Sequence, residues 1–286
     1  MDHEAGRLSH GAEEVAIDFA LNQKTAPPKL GFAAFLDLAA ELGCVGVEPR
    51  NDLGRPFFDG IEPARAGEMA RERGLRFIGL SEIYSFNDWN EDRHAAVARL
   101  IETAQAAGAE TISLIPRVDG RKGDGAERAT TLRAVLAEIL PMLDGTGVVG
   151  LVEPIGFSTS SIRFQREATK AIESLGADNR LGIVHDTFQH ALARDSDIVV
   201  RHIRLVHISG IAGGSGILTD LLDAQRGLVD ETDRAGALGQ MRSLLHAGYS
   251  GPFSYECTSS LIQNIGDPEA KIGASIAYLR RLLDPR

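Results

Sequence analysis

Cysteine is nearly missing from this chain. Cys44 and Cys257 are the only two in 286 residues, which leaves no material for a disulfide framework or a cysteine-rich zinc site. Both read as packing residues: Cys44 ends the first helical pattern, and Cys257 follows Glu256 and so faces the other side of its strand. No apolar run approaches the ~20 residues that span a bilayer. Residues 1–12, MDHEAGRLSHGA, lack the apolar stretch of a signal peptide, so a cytoplasmic location is expected. Positive charge is also short. Lys and Arg total 30 against 40 Asp and Glu, the net charge is −10 and the pI about 5.3. That balance argues against a nucleic-acid partner, which calls for a basic stripe. No lysine occurs between Lys170 and Lys271, so the Gly-rich stretch there cannot carry a Walker lysine.

What the chain does have is a set of four short apolar runs, each stopping on a residue able to bind a metal ion. They are Val149–Glu153, Leu181–Asp186, Arg204–His207 and Pro252–Glu256. Each reads as a buried strand. Side chains alternate along a strand, so Leu151 shares a face with Glu153, Val184 with Asp186, Leu205 with His207 and Ser254 with Glu256. In a barrel of parallel strands the C-terminal ends open on one face, where the chemistry sits. Glu153, Asp186, His207 and Glu256 would then converge. Three carboxylates and one imidazole form a mostly hard ligand set, suited to Mn²⁺, with Mg²⁺ or Co²⁺ accepting similar ligation. The competing arrangement, a carboxylate–histidine network without metal, clusters three anions around one possible cation at high cost.

The rest of the chain supplies the remaining strands and helices. Strands are expected at Val15–Leu21, Val47–Pro49, Phe77–Ile83 and Thr111–Pro116. Helices are expected at Phe32–Leu42, Glu62–Arg73, from the capping Asn90 or Asp92 to Ala107, and at Ala126–Leu143. Further helices fall at Gln165–Leu175, Gln189–His202, Ala235–His246 and Pro268–Leu283. The sixth is the weakest, being interrupted by Arg194-Asp195-Ser196-Asp197. Eight strands alternating with helices imply an α/β fold, a (β/α)₈ TIM barrel, as a single domain over residues 13–286 behind a flexible segment, 1–12.

Other residues sit at strand ends on the same face. Asn22, Glu48, Arg50, Asn51, Asp52 and Glu82 are candidates for bonding substrate hydroxyls, with salt bridges tying loop to barrel as the alternative. Tyr84, Phe86 and Trp89 either wall a small-ligand pocket or pack locally. His185 has the opposite parity to Asp186 and is expected to face the helices, whereas His190 could reach substrate. Arg163 and Arg226 could hold substrate oxygens or lie on the surface. The glycines of Gly210–Gly216 suggest a mobile lid, or a phosphate cradle resting on backbone N–H groups with Arg226 or Arg234.

Five segments carry a family resemblance: ALNQKTAP (20–27), FLDLAAELGCVGVEPRNDLGRPFFDG (35–60), LVEPIGF (151–157), VHDTF (184–188) and GYSGPFSYEC (248–257). The chain resembles the xylose isomerase-like TIM barrels, a group of sugar isomerases, 3-epimerases, hydroxypyruvate isomerase and endonuclease IV. Within the group it is most similar to inosose (2-keto-myo-inositol) isomerases of inositol catabolism. The resemblance places the metal ligands on Glu153, Asp186, His207 and Glu256, the four residues already chosen. It implies an enzyme that moves a carbonyl between adjacent carbons of a small polyhydroxy ketone, with Glu153 and Glu256 exchanging the proton through an enediol(ate). Neither nucleic acid nor membrane is implied as a partner, and the strand-end loops could pair subunits into a homo-oligomer. One departure stands out: many relatives carry a histidine three residues after the aspartate, and this chain has Gln189, then His190. Alternatives on the same fold are a ketose 3-epimerase, a hydroxypyruvate-type isomerase or an inosose dehydratase. More remote are a sugar-binding barrel without catalysis and an endonuclease IV-like phosphodiesterase, which would need more histidines and a basic groove.

Overall fold

The computed structural model describes residues 17–121, 124–211 and 222–283. Its nine strands are β1 (Phe19–Asn22), β2 (Gly46–Glu48), β3 (Arg76–Phe77), β4 (Leu80–Tyr84), β5 (Thr111–Ile115), β6 (Val149–Val152), β7 (Leu181–Asp186), β8 (Ile203–Ile208) and β9 (Phe253–Tyr255). All pair in parallel in one sheet, ordered β3-β2-β1-β9-β8-β7-β6-β5-β4. The two ends of that order are pieces of one stave. β3 pairs with β2 and β4 with β5, so the broken stave closes an eight-staved TIM barrel.

The break corrects the expectation of one strand over Phe77–Ile83, and its cause is local. Thr111 donates its hydroxyl to the Ile78 carbonyl at 2.8 Å, in place of a ladder partner. A Cβ on Gly79 would sit 2.9 Å from that hydroxyl, so glycine makes room for it.

Alternation sorts the strand residues into two cores. Ala20, Ile78, Leu151, Val184 and Leu205 point inward and plug the barrel. Phe19, Leu21, Val47, Ile183, Val206, Phe253 and Tyr255 point outward beneath the helices. Each large apolar side chain buried this way contributes about 1.5–3 kcal/mol. One step above the plug, the inward positions turn polar, and the site begins there.

The helices are α1 (Phe32–Glu41), α2 (Pro63–Arg71), α3 (Glu91–Ala107), α4 (Gly125–Leu143), α5 (Gln165–Ser174), α6 (Thr187–Ala193), α7 (Ala237–His246), α8 (Ser260–Gln263) and α9 (Pro268–Leu283). Asn90 caps α3 by accepting from the Arg93 amide at 2.9 Å, and Gly108 ends it at φ 73°, a left-handed turn glycine adopts freely. α6 is far shorter than the expected Gln189–His202. It stops where Arg194 turns left-handed (φ 53°), and Asp195 draws the chain away by accepting from the amides of Gln165 and Asp197. Only a 3₁₀ turn, Val200–His202, remains of the expected second half.

The first strand also differs from Val15–Leu21. Pairing starts at Phe19, opposite Phe253, and runs to Asn22, while residues 15 and 16 lie outside the described residues. The expected flexible segment 1–12 lies outside them too, as does most of the expected lid, residues 212–216. Gly210 and Gly227 exchange two backbone hydrogen bonds of 2.8 and 2.7 Å. No described helix is long and apolar enough to cross a membrane.

Candidate metal centre

Glu153, Asp186, His207 and Glu256 meet at the C-terminal mouth of the barrel, each offering one ligand atom, with all four atoms within 4.8 Å of one another. Register explains the convergence. Asp186 pairs with His207 and His207 with Ser254, so neighbouring strands bring their ends to one level, and Glu256 lies two residues above Ser254 on the same face. Glu153 follows β6 immediately, its amide bonded to the Leu114 carbonyl at 3.2 Å.

Asp186, Glu256 and His207 are each held by an atom turned away from the centre. The Oδ1 of Asp186 caps α6 through the Gln189 amide at 2.8 Å, leaving Oδ2 for the centre. Glu256 gives Oε1 to Arg50 Nη1 at 2.7 Å and, more weakly, to Asn22 Nδ2 at 3.4 Å, leaving Oε2 inward. His207 Nε2 lies 3.0 Å from Glu48 Oε2, which sets that nitrogen as the N–H and turns Nδ1 inward. That Nδ1 lies 3.2 Å from Glu256 Oε2, 3.7 Å from Glu153 Oε2 and 3.9 Å from Asp186 Oδ2, with hydrogen-bond geometry to none of them. A buried nitrogen aimed at three carboxylate oxygens, without a hydrogen bond to any, fits a metal ligand. The donor set is three oxygens and one nitrogen. Cys257 stays out of it, donating its thiol to the Gly227 carbonyl at 3.0 Å.

Burial acts strongly on these groups. It pushes the carboxyl of Glu153 upward, and that of Asp186 up to about 7 in spite of Arg226. Burial would raise Glu256 as well, but His207, Arg226 and Arg50 outweigh it and hold Glu256 well below the usual carboxylate range. Burial disfavours charge on His207, yet Glu48 and Glu256 overcome this and keep it well above the ordinary histidine value.

Above the quartet opens a cavity of about 240 Å³, lined among others by Arg50, Glu82, Tyr84, Glu153, Gln189 and Arg226. Arg226 donates through Nη2 to Asp186 Oδ2, the same nitrogen lies 2.8 Å from Glu256 Oε2, and Nη1 donates to Asp223 at 3.2 Å. Arg50 reaches Glu82 at 2.6 Å and grips Asp52 twice, at 2.7 and 3.0 Å.

Not every candidate faces that cavity. Glu48 is fully buried below it, one oxygen bound to His207 and the other to the Ser254 hydroxyl, so it orients the imidazole and does not line the cavity. Asn22 stands behind Glu256, not on the wall. His190 does not line the cavity either. It packs against the His185 ring at 4.8 Å, because α6 carries it round to the helix side. His185 faces the helices, between Gln165 at 2.6 Å and Gln240 at 2.9 Å. Arg163 bonds the Gly156 carbonyl, Phe86 is buried in the main core and Trp89 packs against it, leaving Tyr84 as the one of the three aromatics on the wall.

Sequence reading missed the roles of Lys24, Asp223 and Thr258, which also line the cavity. Lys24 was visible inside the ALNQKTAP segment. Asp223 and Thr258 follow no strand end directly and carried no signal.

A family model described as a xylose isomerase-like TIM barrel matches residues 36–282. A xylose isomerase domain-containing protein from Salmonella typhimurium has the same fold at a TM-score of 0.84 and 29% identity, over 93% of this chain and 96% of that one. The IolI protein with a binding zinc atom has a TM-score of 0.82 at 18% identity, over 93% and 98% of the two chains. D-psicose 3-epimerase with D-tagatose, from Clostridium cellulolyticum, has a TM-score of 0.71 at 14% identity, over 94% and 100%. The last two are likenesses of fold. No curated protein matches the chain in sequence.

Proposed function

Starting from the fact that the chain belongs to the xylose isomerase-like TIM-barrel family, we propose a metal-dependent isomerase of a small polyhydroxy ketone, with 2-keto-myo-inositol as its substrate. It shifts the carbonyl to the adjacent carbon by proton transfer through an enediol(ate). Glu153, Asp186, His207 and Glu256 hold one divalent cation, with Mn²⁺ as the first choice for an oxygen-rich set. Bound there, the cation supplies Lewis-acid polarisation of the substrate carbonyl and its neighbouring hydroxyl.

The observation that carries this reading is the unequal treatment of two glutamates bordering one cavity. Among the described residues no side chain donates a well-formed hydrogen bond to the Glu153 carboxylate, and His207 Nδ1 lies 3.7 Å from it. Glu256 is held by Arg50 and Arg226 and stays anionic. Glu153 therefore takes the α-proton and returns it to the former carbonyl carbon, while the anionic Glu256 accepts the hydroxyl proton released as the new carbonyl forms and passes it to the former carbonyl oxygen. Arg226, over the Phe188 ring at 5.5 Å, steadies the oxygens of both Asp186 and Glu256.

The test is the reaction run in D₂O with divalent metal supplied and followed by NMR. Solvent deuterium should appear in the product, and Glu153→Gln should slow turnover by at least about a thousandfold, in line with loss of a general base plus a ligand. Product retaining the original hydrogen would point to a hydride shift, and turnover within a few-fold of wild type in Glu153→Gln would remove that residue from its role. Inversion at one carbon without carbonyl movement would assign a ketose 3-epimerase instead.

A further inference from the structure

We infer that the site selects an uncharged polyhydroxy ketone over its phosphorylated or carboxylated counterparts, and that Glu82 is the residue setting this preference. This deepens the isomerase reading and rests on it.

The first ground is that the charge on the cavity wall is already committed. Its cations among the described residues are Lys24, Arg50 and Arg226. Lys24 Nζ lies 2.6 Å from Asp52. Arg50 is paired with Asp52, Glu82 and Glu256, and Arg226 with Asp186, Asp223 and Glu256. Both guanidinium groups are only 3% exposed, so neither can swing out to meet an anion without leaving buried carboxylates behind. Residues 212–221, which follow β8, contain neither lysine nor arginine. Recognition of a phosphate or carboxylate wants a donor fork with charge to spare, and the wall offers none.

The second ground is what the wall does offer. Glu82 spends one oxygen, Oε2, on Arg50 at 2.6 Å, while Oε1 has no partner among the described residues. Its backbone is clamped on both sides by Asn51, whose Nδ2 donates to the Glu82 carbonyl at 3.1 Å and whose Oδ1 accepts from the Glu82 amide at 2.9 Å. A carboxylate oxygen held this firmly accepts hydrogen bonds from substrate hydroxyls and repels an anionic substituent at the same place. Tyr84, Gln189 and Thr258 add neutral hydrogen-bonding groups around it.

The experiment is calorimetric binding to full-length protein supplied with Mn²⁺, comparing D-fructose with D-fructose 6-phosphate and L-sorbose with its carboxylate 5-keto-D-gluconate, while NMR follows turnover of the same samples and of 2-keto-myo-inositol. Each neutral ketone should bind at least about tenfold more tightly than its charged partner, the worth of one hydrogen bond to a charged group. Glu82→Gln should weaken neutral binding and narrow that ratio, and Glu82→Lys should reverse it for the phosphate. Equal or tighter binding of the charged ketones, binding of none of the four, or an unchanged ratio in Glu82→Gln would overturn the inference. Strong neutral binding with no turnover would instead sink the isomerase reading alone, and turnover of a tightly bound phosphoketose would sink the selectivity alone.

Discussion

The mouth of this barrel is built from two unlike half-rings. Strands β6 to β9 deliver Glu153, Asp186, His207 and Glu256 to one point, a nest of anions around an inward-facing imidazole nitrogen. Strands β1 to β4 and their loops deliver a fixed guanidinium, Arg50, ringed by Asp52 and Glu82 and reaching across to Glu256. One half gathers a donor set that could hold a divalent cation, and the other carries a cation of its own in Arg50. Glu256 is one contact between them, giving one oxygen to each side. A carboxylate shared in this way is a ligand whose orientation is set from the opposite wall.

The two halves should answer differently to mutation. Asp186→Ala strikes the cation-holding half and carries the largest expected effect. Divalent-ion affinity should fall by more than the 10- to 100-fold usual for residues that merely support a ligand, and turnover should drop to background. α6 also loses its cap, about 1 kcal/mol. Titration of the metal-stripped variant with Mn²⁺ checks this.

Arg50→Met strikes the other half. It leaves Glu82 and Glu256 without their common partner, and stability should fall by about 3–5 kcal/mol, as when one member of a buried ion pair is removed. Urea unfolding reads this directly. A loss below about 1 kcal/mol would mean that the guanidinium is not part of the frame.

Glu48→Gln joins the halves from below. Its neutral amide no longer fixes the His207 tautomer by charge, so Mn²⁺ affinity should fall by about 10- to 100-fold. The metal-free protein should also lose stability, since the amide offers one acceptor where the carboxylate met two donors, His207 and Ser254.

The smallest effect is a pH dependence. Burial raises the Asp52 carboxyl, but its bonds to Arg50 and Lys24 outweigh that and bring it down to about 2. A carboxylate depressed in the folded state adds stability above its unfolded value of about 3.9, and that stability is lost as pH falls toward 2. The stability gap between wild type and Asp52→Asn should therefore hold near neutrality and close below pH 4. A gap that stays constant through that range would detach Asp52 from the network.

The contrast between the half-rings also explains what could be read from the chain. The four residues that meet at the mouth were legible because each closes its own short apolar strand at the same parity, a local pattern repeated four times. The barrel itself was legible for the same reason, through recurring strand and helix periods. Glu48 was visible as a strand-end carboxylate, but its role depends on His207, 159 residues away, and that of Arg50 on Glu256, 206 residues away. Nothing local tells a carboxylate that bonds substrate from one that orients a ligand underneath it. His190 misled in a similar way: one residue of helix rotation separates it from Gln189, whose side chain borders the cavity and whose Oε1 accepts from the Gly156 amide at 2.9 Å. The broken stave was hidden because Thr111, 33 residues away, diverts the backbone at Ile78, whereas α6 ends where Arg194-Asp195-Ser196-Asp197 already interrupted the helical pattern.

The most direct test of the account is an anomalous difference map from crystals grown with Mn²⁺. The account predicts a single strong peak at the barrel mouth, about 2.0–2.4 Å from Glu153, Asp186, His207 Nδ1 and Glu256, the range for oxygen and nitrogen ligands of such ions. No peak between these side chains, or a peak bound elsewhere while the four point apart, would contradict it.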